Sequence, residues 1–73
     1  MDALEMHIMG QIEAISGVSP RADDSLALIG VDSVGMAELT FDLEKQFKIR
    51  VDETVLDVET VGQLVEYVRA RVP

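Results

Sequence analysis

The sequence predicts an all-α fold, a small bundle of three main helices and one short helix, with a long loop between the first and second helices. Apolar residues recur at spacings of three or four in three separate segments, which is the period of a half-buried helix. Apolar residues make up 48% of the chain and aromatic residues only 4%, so the core is built from aliphatic side chains that suit helix packing. We expect residues 1–73 to form a single domain, since a chain this short has room for one core.

The first helix is expected to begin after Asp2 and to end at Gly17. Asp2 and Glu5 have the spacing of a capping box, in which each residue satisfies a free backbone N–H of the other. Pro20, just beyond Gly17, prevents the helix from continuing. The apolar stripe between these signals consists of Leu4, Ile8, Ile12 and Ile15.

Residues 17–31 form the predicted long loop. Three apolar residues near its end, Leu26, Leu28 and Ile29, are expected to anchor it to the core. Irregular connections of about this length are unusual in small domains and are commonly functional.

The second helix is predicted to begin at Asp32 or Ser33 and to run to about Phe47, with a core stripe of Met36, Leu39, Leu43 and Phe47. An extended connection then leads to a short helical segment near residues 53–56. Thr60 and Gln63 form a second capping box, which opens the last helix. The apolar stripe of that helix is Val61, Leu64, Val65, Val68 and Val72.

Charge and composition exclude several function classes. The formal net charge of -8 repels nucleic acid and anionic membrane surfaces and attracts basic protein surfaces, so we expect protein partners and no nucleic acid. The chain has no cysteine, and its acidic residues do not follow a calcium-loop spacing, so no metal site is predicted.

The longest apolar run, residues 26–29, is too short to span a membrane. With no secretory signal after Met1, we expect a cytoplasmic protein, and a monomer is the default expectation.

The segment Gly30-Val31-Asp32-Ser33-Val34 carries the chemistry that the sequence offers. A serine at the start of a helix lies beside free backbone N–H groups and the positive end of the helix dipole, where a phosphate on its oxygen is stabilised. Asp32 could hold a divalent cation during phosphoryl transfer. The alternative is that Asp32 is only an N-cap and Ser33 only a polar residue of the first turn.

The stretch from Gly30 to Phe47, GVDSVGMAELTFDLEKQF, resembles the second-helix signature of acyl carrier proteins. That signature is Gly-x-Asp-Ser-Leu, then Glu-Leu, then Leu-Glu-x-x-Phe; the matching residues here are Glu38-Leu39 and Leu43-Glu44 with Phe47. The order of helices and the long loop also fit, so the resemblance covers essentially the whole chain. Val34 replaces the usual Leu, and Gly35 stands where a polar residue is commoner, which bears on partner choice.

The resemblance implies that Ser33 receives 4′-phosphopantetheine from coenzyme A through a phosphopantetheinyl transferase with Mg²⁺, and that Asp32 assists attachment. The chain would then carry acyl groups as thioesters between enzymes of fatty acid, polyketide or related biosynthesis, as a phosphoprotein carrier and not as an enzyme. An aminoacyl or D-alanyl carrier remains an alternative, as does a helical interaction module without a prosthetic group. Whether the chain is freestanding or part of a larger synthase stays open.

The second helix also predicts a docking face for partner enzymes. On a helical wheel, Val34, Ala37 and Phe41 point away from the core stripe, and acidic residues surround them: Glu38, Asp42 and Glu44. A small apolar patch with an acidic rim suits transient docking of synthase and acyl-loading enzymes that carry basic patches. The alternative is that Phe41 folds under the long loop and the acids are merely solvated. His7 is expected to be structural or exposed.

Overall fold

The computed structural model describes residues 2–73 and confirms the predicted all-α bundle. Its helices are α1 (Ala3–Ser16), α2 (Ser33–Phe47), a 3₁₀ helix (Glu53–Asp57) and α3 (Val61–Arg69). Helix α1 packs against both α2 and α3. Within residues 2–73 the only β-type pairing is an isolated bridge between Ser25 and Thr60.

The ends of α1 lie where the sequence predicts them, although the capping box is incomplete. The Glu5 backbone N–H donates to Asp2 Oδ1 at 2.9 Å, and Gly17 ends the helix in the left-handed conformation with φ 76°. The Glu5 carboxylate, however, lies 3.7 Å from the Arg69 guanidinium instead of returning to the cap. The prediction of a reciprocal box at Asp2 was therefore wrong, because a cation from the end of α3 competes for Glu5. The box at Thr60 and Gln63 is confirmed, with both bonds present.

The long loop is fastened to the start of α3 by backbone hydrogen bonds. Leu26 N–H donates to the Glu59 carbonyl at 2.9 Å, and Val61 N–H donates to the Asp24 carbonyl at 3.0 Å. Gly62 N–H donates to the Ala22 carbonyl at 2.8 Å. A Cβ at Gly62 would lie 3.0 Å from that same carbonyl oxygen, so this close approach favours glycine within the helix. These hydrogen bonds therefore fix the path of the loop that leads into α2.

One loop anchor was predicted wrongly. Leu26 is buried and Ile29 packs against the core, but Leu28 is 89% exposed. Ile29 N–H donates to the Ser25 carbonyl at 3.1 Å, so residues 25–29 form a single turn. Positions 26 and 29 share one side of such a turn, while position 28 points away from it. Leu28 is thus an exposed apolar side chain near the start of α2, not part of the core.

The core contains aliphatic side chains from the predicted stripes of all three α-helices, together with side chains from the connections and the 3₁₀ helix: Leu26, Val31, Ile49 and Val55. The fully buried large side chains are Ile8, Ile12, Leu39, Leu43, Val61, Leu64 and Val68. No polar or charged residue among residues 2–73 is buried. None of the helices in the described part of the chain is both long and apolar enough to cross a membrane.

Candidate functional site

Ser33 is the first residue of α2 and is exposed at the point where the long loop enters the helix. The preceding residue, Asp32, is the N-cap: its Oδ1 accepts a hydrogen bond from the Gly35 backbone N–H at 2.8 Å. Its carbonyl oxygen accepts the Met36 N–H at 2.8 Å, which begins the helical ladder. Asp32 therefore fixes the residue at which the helix starts, and so places Ser33 in the first turn.

The groups around the Ser33 hydroxyl are free to receive an anion. The backbone N–H groups of Ser33 and Val34 find no backbone acceptor within residues 2–73, as is usual in the first turn of a helix. The Ser33 hydroxyl likewise has no hydrogen-bond partner among these residues. Free N–H groups and the helix dipole stabilise a phosphate at this end of α2. The arrangement fits a phosphodiester on Ser33 Oγ.

Ser33 borders two clefts. The larger has a volume of about 510 Å³ and lies between the loop, the start of α2 and the segment before α3; its lining residues are Ser25, Leu26, Ala27, Val31, Asp32, Ser33, Met36, Val58 and Glu59. The smaller has a volume of about 240 Å³ and lies between α2 and the 3₁₀ helix; its lining residues are Ser33, Met36, Ala37, Thr40, Val55 and Leu56. Ser33 and Met36 line both, so a group attached to Ser33 has a cleft on either side.

Comparison with known proteins identifies the family. Residues 7–68 match the family described as "Phosphopantetheine attachment site". The chain belongs to this family. It is also similar to nodulation protein F of Rhizobium leguminosarum bv. trifolii, with 34% identity over 64 residues, an alignment that covers 82% of this chain and 68% of the relative.

Family membership confirms the resemblance to phosphopantetheine-binding carrier proteins and the predicted prosthetic group. The group is 4′-phosphopantetheine, held covalently. Its terminal thiol supplies the thioester chemistry that a chain without cysteine lacks. A carrier domain of this family interacts with transferase and synthase enzymes in general. The exposed primary hydroxyl of Ser33, the free N–H groups beside it and the flanking clefts all fit this group.

The apolar members of the predicted docking face lie on the exposed side of α2. Val34 is 64% exposed and Phe41 is 62% exposed, and Ala37 and Glu38 are exposed beside them. Phe41 does not fold under the long loop. Its ring is instead covered by the Lys45 ammonium group, whose Nζ lies 4.9 Å from the ring centroid. A cation over an exposed aromatic ring contributes roughly 0.5–1 kcal/mol, so this cover is easily displaced.

Two of the three predicted docking acids have partners within the chain. Asp42 Oδ2 lies 3.1 Å from His7 Nε2, which joins α2 to α1, and the His7 ring stands edge-on to Phe47 with centroids 5.3 Å apart. The carboxylate of Glu44 accepts the Val51 backbone N–H at 2.9 Å and so holds the connection after α2. Among these acids, Glu38 is the one without a side-chain hydrogen bond or ion pair in the described part of the chain. The acidic rim is therefore less available than the sequence suggests.

Sequence reasoning missed two sets of contacts, one beside Ser33 and one at Phe41. Val55 and Leu56 form one wall of the smaller cleft, but their short segment has no clear apolar stripe to indicate its orientation. Lys45 follows Phe41 by four residues, and that helical spacing is the signal that could have indicated the contact.

Within residues 2–73, no group of three or more His, Asp or Glu side chains is arranged to hold a metal ion.

Proposed function

We propose that this carrier protein is an acyl carrier whose Ser33 holds the 4′-phosphopantetheine arm. The observation that carries the proposal is the position of Ser33: exposed, without a hydrogen-bond partner in residues 2–73, in the first turn of α2 and at the border of two clefts. The Asp-Ser order of residues 32 and 33 supports an acyl carrier over a peptidyl carrier, in which His more often precedes the serine.

Asp32 assists attachment in two ways under this proposal. Its Oδ1 keeps the first turn of α2 formed through the Gly35 N–H, which holds Ser33 in place while the transferase binds. Its other carboxylate oxygen, Oδ2, accepts no hydrogen bond within residues 2–73 and is available to a Mg²⁺ ion brought with coenzyme A. The metal is then part of the transferase complex and not a resident ion of the carrier.

The proposed role is that of a shuttle in the cytoplasm and not of an enzyme. Acyl groups on the arm would pass between enzymes of fatty acid, polyketide or related biosynthesis, with reaction chemistry supplied by those enzymes. An aminoacyl or D-alanyl carrier has the same attachment chemistry, and the enzyme that loads the thiol distinguishes them. The interaction module without a prosthetic group is not supported, because the chain belongs to the attachment-site family.

A loading experiment tests the acyl assignment. The protein carrying its arm is incubated with ATP and either octanoate plus an acyl-carrier synthetase or D-alanine plus a D-alanyl carrier ligase, and the thioester is detected by mass spectrometry. We expect octanoyl thioester from the first reaction and none from the second. D-alanyl thioester alone would overturn the acyl assignment while leaving the carrier function in place.

The docking face is proposed to consist of Val34, Ala37, Glu38 and Phe41, with Asp42 and Glu44 at its edges. The apolar side chains provide the contact area, and Glu38 provides the charge that attracts a basic partner surface. Because Asp42 and Glu44 already have internal partners, their main effect is on the position of α1 and of the connection after α2.

Two substitutions on the same helix, with the same change of net charge, test this division of roles. We expect Glu38→Gln to lower kcat/KM for a broad-specificity phosphopantetheinyl transferase by about threefold at low salt, and by less at about 0.5 M NaCl, because exposed charge pairs are weak and screened. Asp42→Asn is expected to leave kcat/KM within about 1.5-fold, since its carboxylate faces His7. Equal losses in two folded variants would contradict the assignment of Glu38 as the steering acid.

A further inference from the structure

The 3₁₀ helix forms one wall of the smaller cleft, but it has little to hold it there. It is five residues long, and Val55 is its one buried residue. Its neighbour Leu56 lines the cleft and is 79% exposed. Short 3₁₀ helices have poor intrinsic stability, so contacts from outside the element must fix its position.

The cap of this helix, Asp52, is bonded to the side chain of Tyr67 on α3. The Tyr67 hydroxyl donates to Asp52 Oδ1 at 2.8 Å and accepts the Asp52 backbone N–H at 3.0 Å. The same carboxylate oxygen accepts the Thr54 backbone N–H at 3.1 Å and the Thr54 hydroxyl. Hydrogen bonds from the hydroxyls of Thr54 and Tyr67 lower the pKa of Asp52 to about 2, so this group is ionised at neutral pH.

Arg71, just beyond the end of α3, completes the contact. Its guanidinium carbon lies 3.6 Å from the centroid of the Tyr67 ring, and Nη1 donates to the Tyr67 carbonyl at 3.1 Å. Nη2 donates to Thr54 Oγ1 at 3.3 Å and lies 3.5 Å from Asp52 Oδ2. Arg71 thus binds the ring that carries the hydroxyl and also the first turn of the 3₁₀ helix.

We propose that Asp52, Tyr67 and Arg71 are positioning residues that fasten the 3₁₀ helix to the end of α3 and thereby set the width of the cleft between the 3₁₀ helix and α2, beside Ser33. Without these contacts, the burial of Val55 is the main remaining attachment of the short helix to the core. The wall formed by Val55 and Leu56 then moves relative to Met36, Ala37 and Thr40. The consequence for cargo rests on the proposed function: a wider cleft shelters less of an apolar group attached near Ser33.

The first test is amide hydrogen exchange of the protein without its arm, in Tyr67→Phe and Arg71→Gln. The Val55 and Val58 N–H groups report on the short helix, since they donate to the Asp52 and Val55 carbonyls. We expect both to exchange about tenfold faster than in the unsubstituted protein, the factor expected from losing one or two hydrogen bonds, while Leu39 and Leu43 in α2 change little.

Arg69→Gln is the matched control. Arg69 lies two residues before Arg71 but pairs with Asp2, at 2.5 Å, and with Glu5, so it joins α3 to α1 and not to the 3₁₀ helix. Its loss tests whether any destabilisation near the end of α3 would loosen the short helix. Equal acceleration of the Val55 and Val58 amides in the Arg69 and Arg71 variants, or no acceleration in Tyr67→Phe, would overturn the proposal.

The second test measures the cleft itself. Because the chain has no cysteine, the variant Ala37→Cys/Leu56→Cys accepts two spin labels, one on each wall of the cleft and both at exposed positions. We expect the distance distribution between the labels to become roughly twofold broader when Tyr67→Phe or Arg71→Gln is added, and to stay unchanged with Arg69→Gln. An unchanged distribution in all three would refute control of the cleft. Both tests use the unmodified chain, so failure of phosphopantetheine attachment to Ser33 is a separate result.

Discussion

Ser33→Ala is expected to abolish transfer of phosphopantetheine to the protein. Under the proposed assignment, the Ser33 hydroxyl oxygen forms the new bond to phosphorus as adenosine 3′,5′-bisphosphate leaves coenzyme A, and the methyl group of alanine offers no replacement. The loss should be complete, with no label incorporated from a fluorescent coenzyme A derivative in the presence of Mg²⁺ and a phosphopantetheinyl transferase. The fold should survive, because Ser33 is exposed and its side chain bonds to nothing else in residues 2–73.

Ser25→Ala is the control for this substitution. Ser25 lines the same larger cleft, and its hydroxyl accepts the Leu28 N–H at 3.3 Å instead of being free. We expect the Ser25 variant to be labelled at the rate of the unsubstituted protein, because the cap of α2 and the Ser33 hydroxyl are unchanged. Label on Ser33→Ala, or its loss from a folded Ser25→Ala, would show that the attachment residue is assigned wrongly.

Leu43→Ala is expected to be the most destabilising of the substitutions considered for α2. Leu43 is fully buried in the cluster that includes Ile8 and Ile12 of α1. Removing a buried leucine side chain costs about 2–5 kcal/mol, through lost burial and the cavity that remains. Small domains have a total stability of roughly 5 kcal/mol, so this substitution should remove a large fraction of the free energy of unfolding. Urea denaturation followed by far-UV circular dichroism measures the change.

Phe41→Ala provides a comparison on the same helix. It removes a larger side chain, but one that is 62% exposed, so we expect a loss below about 1 kcal/mol, including the contact with Lys45. The same variant should lose activity with docking partners if the proposed face is used. Similar losses of stability for Leu43→Ala and Phe41→Ala would mean that the buried and exposed sides of α2 are wrongly assigned.

The helices could be predicted because their determinants are local. The spacing of Ile8 and Ile12, the glycine at position 17 and the Thr60–Gln63 box act within one or two turns of chain, and the structure places each as expected. Leu28 shows where this reasoning fails. Whether an apolar loop residue points inward depends on the turn around it, which the residue types alone do not specify.

Ser33 is proposed as the attachment residue from its register in α2, but most of its surroundings could not be predicted. Whether the carboxylates of Asp42 and Glu44 are free for a partner protein depends on His7 and on the Val51 N–H. Both of these groups belong to other parts of the fold. A helical wheel contains no information about such partners. The contact between Asp52 and Tyr67 joins residues fifteen positions apart through side chains, which no local pattern indicates.

Attachment of phosphopantetheine to Ser33 is tested most directly by intact-mass spectrometry followed by peptide mapping. The unsubstituted protein is first incubated with coenzyme A, Mg²⁺ and a broad-specificity phosphopantetheinyl transferase. We expect a mass gain of one phosphopantetheine, located on the peptide that contains Ser33. No mass gain in a protein whose helical fold is verified, or a gain located on a different residue, would contradict this expectation.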